Sequence, residues 1–329
     1  MVKVSVIIPV YNAGQYLDKC ISTLVKQTLQ DIEFIFILDC PTDGSDVVVQ
    51  KYADTDNRIK VIRNQSNLHI GNSRNVGLDV AQGEYIGFSD HDDFRKLEMY
   101  EELYLYAKRN NHDIVMSLTC EVNKEGTENR WNVPIVNVEY FKEYCLSNMI
   151  GGGNLENNTS WFCNVHSCIY KKDLLDKYQV RFVDTCLLSP EDLIFNIEAV
   201  YNARNVGFIS KVFYYHRIGI CSAGRSTDYV GWKKRSAAAQ YIFDFLVSNK
   251  IFPLYEMNFY MYVSRQYLKG LLAPLLHHDI FDFISGLRYV RTQSFTHKAF
   301  LSYIEAPNNR PWYKNTFRKL IVWLIVVQS

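Results

Sequence analysis

The sequence predicts an α/β fold: a mostly parallel sheet flanked by helices, with a helical C-terminal extension. Three observations predict it. Val4 to Val10 and Ile32 to Leu38 are continuous apolar runs, which suit strands covered on both faces rather than strands with one wet face. Between such runs apolar residues recur at three- and four-residue spacing, as in Tyr16, Leu17, Cys20, Ile21, Leu24 and Val25. Polar, aromatic and acidic residues collect at the carboxyl ends of the runs, the rim on which open α/β sheets hold their ligands.

In order, Val4 to Val10 is the first strand, with Pro9, Tyr11 and Asn12 at its end, and the helix from Tyr16 follows. Ile32 to Leu38 is the second strand. Thr42-Asp43-Gly44-Ser45 then offers capping residues for a helix through about Tyr52. Ile59 to Ile62 is a third strand, and Asn72 to Ala81 a third helix stopped by Gly83. Tyr85 to Ser89 is the fourth strand, and a helix near Leu97 to Arg109 leads to Ile114 to Leu118. This βαβαβαβαβ order is what implies the parallel sheet. Residues 119 to 160 lose the rhythm and read as a loop or insertion. Ile169-Tyr170, helices near Asp173 to Tyr178 and Glu191 to Tyr201, Val206 to Ile209 and a last strand Val212 to His216 resume it. From about residue 228 the spacing is helical, over 228 to 248 and 254 to 276.

With 48% hydrophobic and 22% charged residues the chain reads as folded rather than disordered. A net charge of +1 gives no bias toward nucleic acid. Residues 288 to 319 nevertheless carry seven Lys or Arg against one acid, Glu305. The apolar run Leu320 to Val327 follows. It is far short of the roughly 20 residues a membrane-spanning helix needs. Two readings stand open for it: a terminal element docked on the core, or a peripheral contact with anionic lipid. The cysteines lack paired C-x₂-C spacing, and Met1-Val2-Lys3 leads straight into a strand without a long apolar leader. The expected location is therefore cytoplasmic, at the inner face of the membrane if the tail touches lipid.

Asp90-His91-Asp92-Asp93 follows the fourth strand. Buried carboxylates repel and cost several kcal/mol each unless a cation or partner neutralises them. On an extended backbone Asp90 and Asp92 share one face and His91 and Asp93 the other. Such oxygens suit a hard divalent ion, Mn²⁺ or Mg²⁺. The competing reading is a solvated acidic turn that caps the next helix.

Ser5-Val6-Ile7-Ile8-Pro9-Val10-Tyr11-Asn12, Thr42-Asp43-Gly44-Ser45, Gly71-Asn72-Ser73-Arg74-Asn75-Val76-Gly77, Gly83 through Asp93, Ser189-Pro190-Glu191-Asp192-Leu193-Ile194-Phe195 and Phe213-Tyr214-Tyr215-His216-Arg217 occur in that order. Together they resemble the family 2 glycosyltransferases, inverting enzymes with the GT-A fold, of the bacterial polysaccharide and lipopolysaccharide type. The resemblance implies a catalytic domain over 1–225, with a nucleotide-sugar half at 1–118 and an acceptor half at 119–225. A mainly helical region, 226–329, follows it. It further implies that Pro9, Tyr11 and Asn12 hold the nucleotide base and that Asp39 accepts the uracil N3–H. Here the sequence departs from the family, with Leu38-Asp39-Cys40-Pro41 where many members have two acids and Gly-Ser. Arg74, at the start of the third helix, would face the diphosphate. The DxD motif falls on Asp90-His91-Asp92, with Asp92 the direct metal ligand and Asp90 at the metal or the ribose. His91 either contacts the nucleotide or packs.

The resemblance also implies that one of Glu191 and Asp192 is the general base, Asp192 before Glu191. The alternative is two acids stabilised at a positive helix start. His216 is either a late metal or phosphate ligand or a packing residue. The implied activity is transfer of a sugar from a UDP-sugar to the hydroxyl of a glycan or lipid-linked glycan, in bacterial surface glycan synthesis. A sugar-1-phosphate nucleotidyltransferase would show a Gly-rich, basic loop after the first strand, and Asn12-Ala13-Gly14-Gln15 is not one. A NAD-binding oxidoreductase would show G-x-G-x-x-G, which is absent. A nucleotide-sugar-binding subunit without turnover stays open beside the enzyme.

Overall fold

The computed structural model describes residues 1–130, 141–151, 164–219, 229–276 and 298. β1 (Val4–Val10) is followed by a single 3-10 turn (Gly14–Tyr16) and α1 (Leu17–Val25). Then come β2 (Ile32–Leu38), α2 (Ser45–Ala53), β3 (Ile59–Arg63), α3 (His69–Val80), β4 (Tyr85–Phe88), β5 (Phe94–Arg95) and α4 (Met99–Asn110). The chain continues through β6 (Ile114–Val122), β7 (Glu128–Arg130), α5 (Phe141–Ile150), β8 (Cys168–Lys171), α6 (Lys172–Lys177), α7 (Glu191–Asn202) and β9 (Val206–Arg217). It ends, among the described elements, in α8 (Tyr229–Ser248) and α9 (Phe252–Leu276).

The sheet runs β3-β2-β1-β4-β8-β6-β9-β5, with β7 paired to β6. β1 is fully buried because both its faces are covered. Val4, Val6, Ile8 and Val10 share a core with Leu17, Ile21 and Leu24 of α1, Val49 of α2 and Met99, Tyr100 and Leu103 of α4. Ile7, on the other face, meets α3, whose backbone lies so close that a Cβ on Gly77 would come within 2.4 Å of Ile7 Cγ2. That double cover explains why the run is continuous rather than alternating.

Contacts group the chain into two compact units. One is drawn from 1–146, 155–185 and 191–221 and holds the whole sheet; the other is drawn from 147–154, 186–190 and 222–329. In the second unit α8 and α9 pack on each other, with Phe243 against Phe252 at 5.0 Å and Ser236 Oγ 3.0 Å from the Tyr267 hydroxyl. Among the described residues no helix is long and apolar enough to cross a membrane. The basic stretch 288–319, apart from Lys298, and the apolar run at 320–327 lie outside the described residues.

Three features differ from the expectation. β4 and β6 are not neighbours: β8 lies between them, antiparallel to both, so the parallel block ends at β4 and the sheet is mixed. The segments read as two strands, 206–209 and 212–216, are one strand, β9. Its ladder with β6 slips between Ser117 and Thr119, so exposed Ser210 and Lys211 interrupt the apolar pattern without ending the strand. The stretch read as a loop after residue 118 holds the end of β6, the short β7 and α5.

At the rim opposite the acidic turn, Glu33 is 3% exposed and joins three strands. Its carboxylate accepts from the Ser5 hydroxyl, from the Gln82 N–H at 2.8 Å and from Lys60 Nζ at 2.6 Å. Burial pushes its pKa up, but Lys60, Ser5 and the Gln82 amide outweigh burial and hold it below the ordinary 4.5. A depressed carboxyl stabilises the fold above its ordinary pKa and loses that contribution as pH falls through the folded value. Glu33→Ala is therefore expected to lower the unfolding free energy by about 2–3 kcal/mol at pH 7, because Ser5 and the Gln82 N–H lose their buried acceptor. Urea unfolding at pH 7 and at pH 3.5 checks this: the gap between wild type and variant should narrow at the acid value.

Candidate active site

β4 ends at Phe88, and the two residues of β5 pair with β9, Phe94 opposite Tyr215 and Arg95 opposite Tyr214. The acidic quartet is held between these anchors, and its middle, His91-Asp92, is a turn rather than extended backbone. The expected alternation therefore fails: Asp90 and Asp93 converge. Asp93 is 0% exposed, with Oδ2 3.0 Å from His216 Nδ1 and Oδ1 accepting the Arg217 N–H at 2.8 Å. One ligand atom each from Asp90, Asp93 and His216 lie within 4.8 Å of one another. Asp92, expected as the direct ligand, is outside that trio, because the turn brings Asp93 round in its place. The Asp92 carbonyl instead accepts from the Arg217 guanidinium.

Arg74 sits in the second turn of α3, not at its start, and is 1% exposed. Its guanidinium binds three carboxylates: Asp90 Oδ1 at 3.0 Å, Glu191 Oε1 at 3.3 Å, and Asp192. The Phe182 ring lies 5.0 Å from its carbon centre. This cluster unites four of the residues singled out in the sequence. Glu191 and Asp192 open α7, and Arg74 ties them to the acidic turn. Both Nη groups are committed to carboxylates rather than to open space.

The remaining expected residues line the ends of β1 and β2. Pro9 is inside β1, and its carbonyl lies 3.1 Å from His91 Nδ1, which ties the acidic turn to the first strand. Tyr11 is 46% exposed, so its ring is not a core residue. Asn12 adopts a left-handed backbone, φ 47°, and its Oδ1 accepts the Thr42 N–H at 2.8 Å. Asp39 is buried, and its Oδ1 accepts from Asn64 Nδ2 at 2.7 Å and from the Leu68 N–H at 2.8 Å. These contacts fix the two loops beside each other.

Charge in the cluster is set by burial against pairing. Burial opposes ionisation of Asp90, but His166, Arg74 and His216 outweigh it and hold its carboxyl well below the usual range. Asp92 goes the other way: burial, then Asp93 and Asp90, push it up to about 6. Asp192 is pushed up to about 7, chiefly by burial with help from Glu191 and Asp90, against the pull of Arg74. Burial disfavours charge on His216, yet its bond to Asp93 and the other carboxylates raise it to about 9. A divalent cation fits this environment. Two carboxylates and an imidazole are suitable donors for such an ion.

Sequence reasoning missed Asp93, Arg217 and His166. Asp93 and Arg217 were in segments already singled out, but their roles depend on β5 pairing with β9. His166 had no local signal at all.

The family described as "Glycosyl transferase family 2" matches residues 5–179. The cholesterol galactosyltransferase of Borreliella burgdorferi is 33% identical over 234 residues, 68% of this chain and 63% of that protein. The uncharacterized glycosyltransferase EpsJ of Bacillus subtilis is 32% identical over 214 residues, 65% of this chain and 60% of that protein. This chain thus spans about three fifths of the length of these curated relatives. Among solved structures, residues 1–349 of S. aureus TarS in complex with UDP-GlcNAc superpose with a TM-score of 0.56 at 21% identity, over 94% of this chain and 93% of that one. The chain has the GT-A fold and belongs to glycosyl transferase family 2.

Replacing Arg74 by Met leaves three carboxylates without their cation in a largely dehydrated place. The expected loss is about 3–5 kcal/mol of unfolding free energy at pH 7. Chemical unfolding checks it, and the loss should shrink at pH 4, where protonation removes the repulsion.

Proposed function

We propose that this member of glycosyl transferase family 2 moves a sugar from a UDP-sugar to an acceptor hydroxyl, with inversion at the anomeric carbon. One observation carries the reading: a single guanidinium, Arg74, joins a carboxylate poised near neutrality, Asp192, to the acidic turn that holds the candidate cation ligands. The solved TarS complex with UDP-GlcNAc, on the same fold, supports a nucleotide-sugar donor.

Asp192 takes the acceptor proton as the hydroxyl oxygen attacks the anomeric carbon. A base with a pKa near 7 is half in its active form at neutral pH and still strong enough to accept, which is the useful compromise. Attack opposite the departing diphosphate converts an α-linked donor to a β-linked product. Mn²⁺ or Mg²⁺ held by Asp90, Asp93 and His216 would supply Lewis-acid stabilisation of the charge growing on that diphosphate. Arg74 keeps Asp192 and Asp90 at a fixed spacing, and Glu191 shares the same cation. At the base, Tyr11 offers an exposed ring, with Pro9 and Asn12 shaping the loop. Asp39 has Oδ1 taken by Asn64 and Leu68, so Oδ2 is the oxygen that reads the uracil N3–H. His91 holds the turn against β1.

The acceptor is proposed to be a glycan or lipid-linked glycan of a bacterial surface polymer, met at the inner face of the membrane. The relative named as a cholesterol galactosyltransferase supports a lipid-bearing acceptor, and the basic stretch before the apolar tail supports contact with anionic headgroups.

The decisive assay mixes the purified protein with a panel of UDP-sugars, Mn²⁺ and glycolipid acceptors and follows UDP release. No turnover with any UDP-sugar, and no UDP binding, overturns the proposal. With an active donor, kcat should rise with pH through about 7, since the base works only when deprotonated. Asp192→Asn should lower kcat by about 10²–10⁴-fold and flatten that limb, while UDP affinity stays unchanged. In contrast, Asp93→Asn should raise the Mn²⁺ concentration needed for half-maximal rate at least tenfold, read from a metal titration of initial rates.

A further inference from the structure

Asp90 is held from three directions. Arg74 binds its Oδ1 at 3.0 Å, and its N–H donates to the Tyr214 hydroxyl at 3.1 Å. The third neighbour, His166, approaches from the turn before β8, and its Nδ1 lies 3.8 Å from Asp90 Oδ2. His166 is 4% exposed. Its other nitrogen, Nε2, is 3.3 Å from Thr119 Oγ1 on β6. The imidazole lies nearly parallel to the Tyr214 ring, centroids 4.1 Å apart, and to the His216 ring at 5.7 Å.

We propose that His166 is a positioning residue for the cation site: backed by Thr119 and stacked beside Tyr214 and His216, it aims the second carboxylate oxygen of Asp90 into the space shared with Asp93 and His216. The proposal rests on the cation site of the proposed function and deepens it. Arg74 holds Oδ1, and a second partner on Oδ2 further restricts the side-chain torsions that place both oxygens. The chemistry of the neighbours sets the tautomer. An ionised carboxylate only accepts, so Nδ1 carries the hydrogen toward Asp90, and Nε2 accepts from the Thr119 hydroxyl. At 3.8 Å the contact is longer than a formed hydrogen bond and acts as a charge–dipole contact at the edge of that range. A phenyl ring would stack on Tyr214 equally well. What the imidazole adds is two oriented nitrogens, each facing a polar partner, and residues that orient metal ligands in this way commonly govern affinity.

The test is Mn²⁺ binding to the nucleotide-free protein, followed by electron paramagnetic resonance of free Mn²⁺. A double variant, His166→Phe with Thr119→Val, keeps the ring stack and strands no hydroxyl. Its Mn²⁺ dissociation constant is expected to rise about ten- to a hundredfold. His166→Asn, whose amide nitrogen falls near the position of Nδ1, should restore most of the affinity, which a purely structural role would not produce. An unchanged dissociation constant in the double variant, with wild type binding Mn²⁺, overturns the positioning role and leaves the cation site standing. If wild type itself takes up no Mn²⁺, the cation site falls and this role falls with it. Should the double variant fail to fold, Asn and Gln at position 166 decide the matter: affinity kept in the Asn variant and lost about tenfold in the Gln variant, whose amide nitrogen falls near Nε2, supports His166, and equal affinities in both, or a tenfold loss in the Asn variant, count against it.

Discussion

Arg74 brings one positive charge into a place almost closed to water, and much of the site is arranged around satisfying it. A guanidinium that is 1% exposed cannot rely on solvent, so it needs carboxylates at hydrogen-bond range. They come from two distant parts of the chain, Asp90 beyond β4 and the Glu191-Asp192 pair at the start of α7. The requirement works in both directions. Three acids this close repel each other, and only the cation between them lets α7 approach the acidic turn. Phe182 closes the remaining face of the guanidinium and keeps the dielectric low, which strengthens each pairing.

The second constraint is mechanical. Two residues of β5, paired to β9, turn what would be a solvated acidic loop into a fixed one. Because the chain must reverse between β4 and β5, His91 and Asp92 occupy the turn and Asp93 is delivered to His216 and to the Arg217 N–H. Arg217 reinforces this from the side: its guanidinium lies 5.0 Å from the Tyr16 ring and 4.9 Å from the Phe94 ring while it binds the Asp92 carbonyl. The slip in the β6–β9 ladder is part of the same device. Past it, Tyr214, Tyr215 and His216 stand opposite Thr119, Cys120 and Glu121, which brings the Thr119 hydroxyl to the Nε2 edge of His166 and the Tyr214 ring against its face.

What was legible in the sequence follows from which physical signal each feature leaves. β1 and β2 could be read to the residue because burial on both faces writes an unbroken apolar run. The rim was legible because charged and aromatic residues at strand ends have few structural uses. β8 was found as a strand, but its antiparallel place between β4 and β6 was not, since period and composition carry no pairing direction. The acidic turn shows the sharpest limit. The two-residue alternation that grouped Asp90 with Asp92 holds only for extended backbone, and the turn that groups Asp90 with Asp93 is imposed by a strand more than a hundred residues later. His166 belongs to the same class: its partners lie on β6, on β9 and in the acidic turn, so no window of sequence contains the arrangement.

Protonation shows how these constraints act together. Asp90 is kept ionised by cationic neighbours, while Asp92 and Asp192, buried near the same charges, are pushed up to about 6 and about 7. His216, at about 9, carries a proton that offsets the acids around it. Protons held at Asp92, Asp192 and His216 offset the crowding of acids in the cluster. In the proposed reading Asp90, Asp93 and His216 would hold a divalent ion, whose charge would offset the same acids. Asp192, bound to Arg74 and pushed up to about 7, has in that reading a pKa suited to accepting a proton. In that reading Arg74 touches both carboxylate functions, Asp90 at the cation and Asp192 as the base, and holds them at a fixed separation.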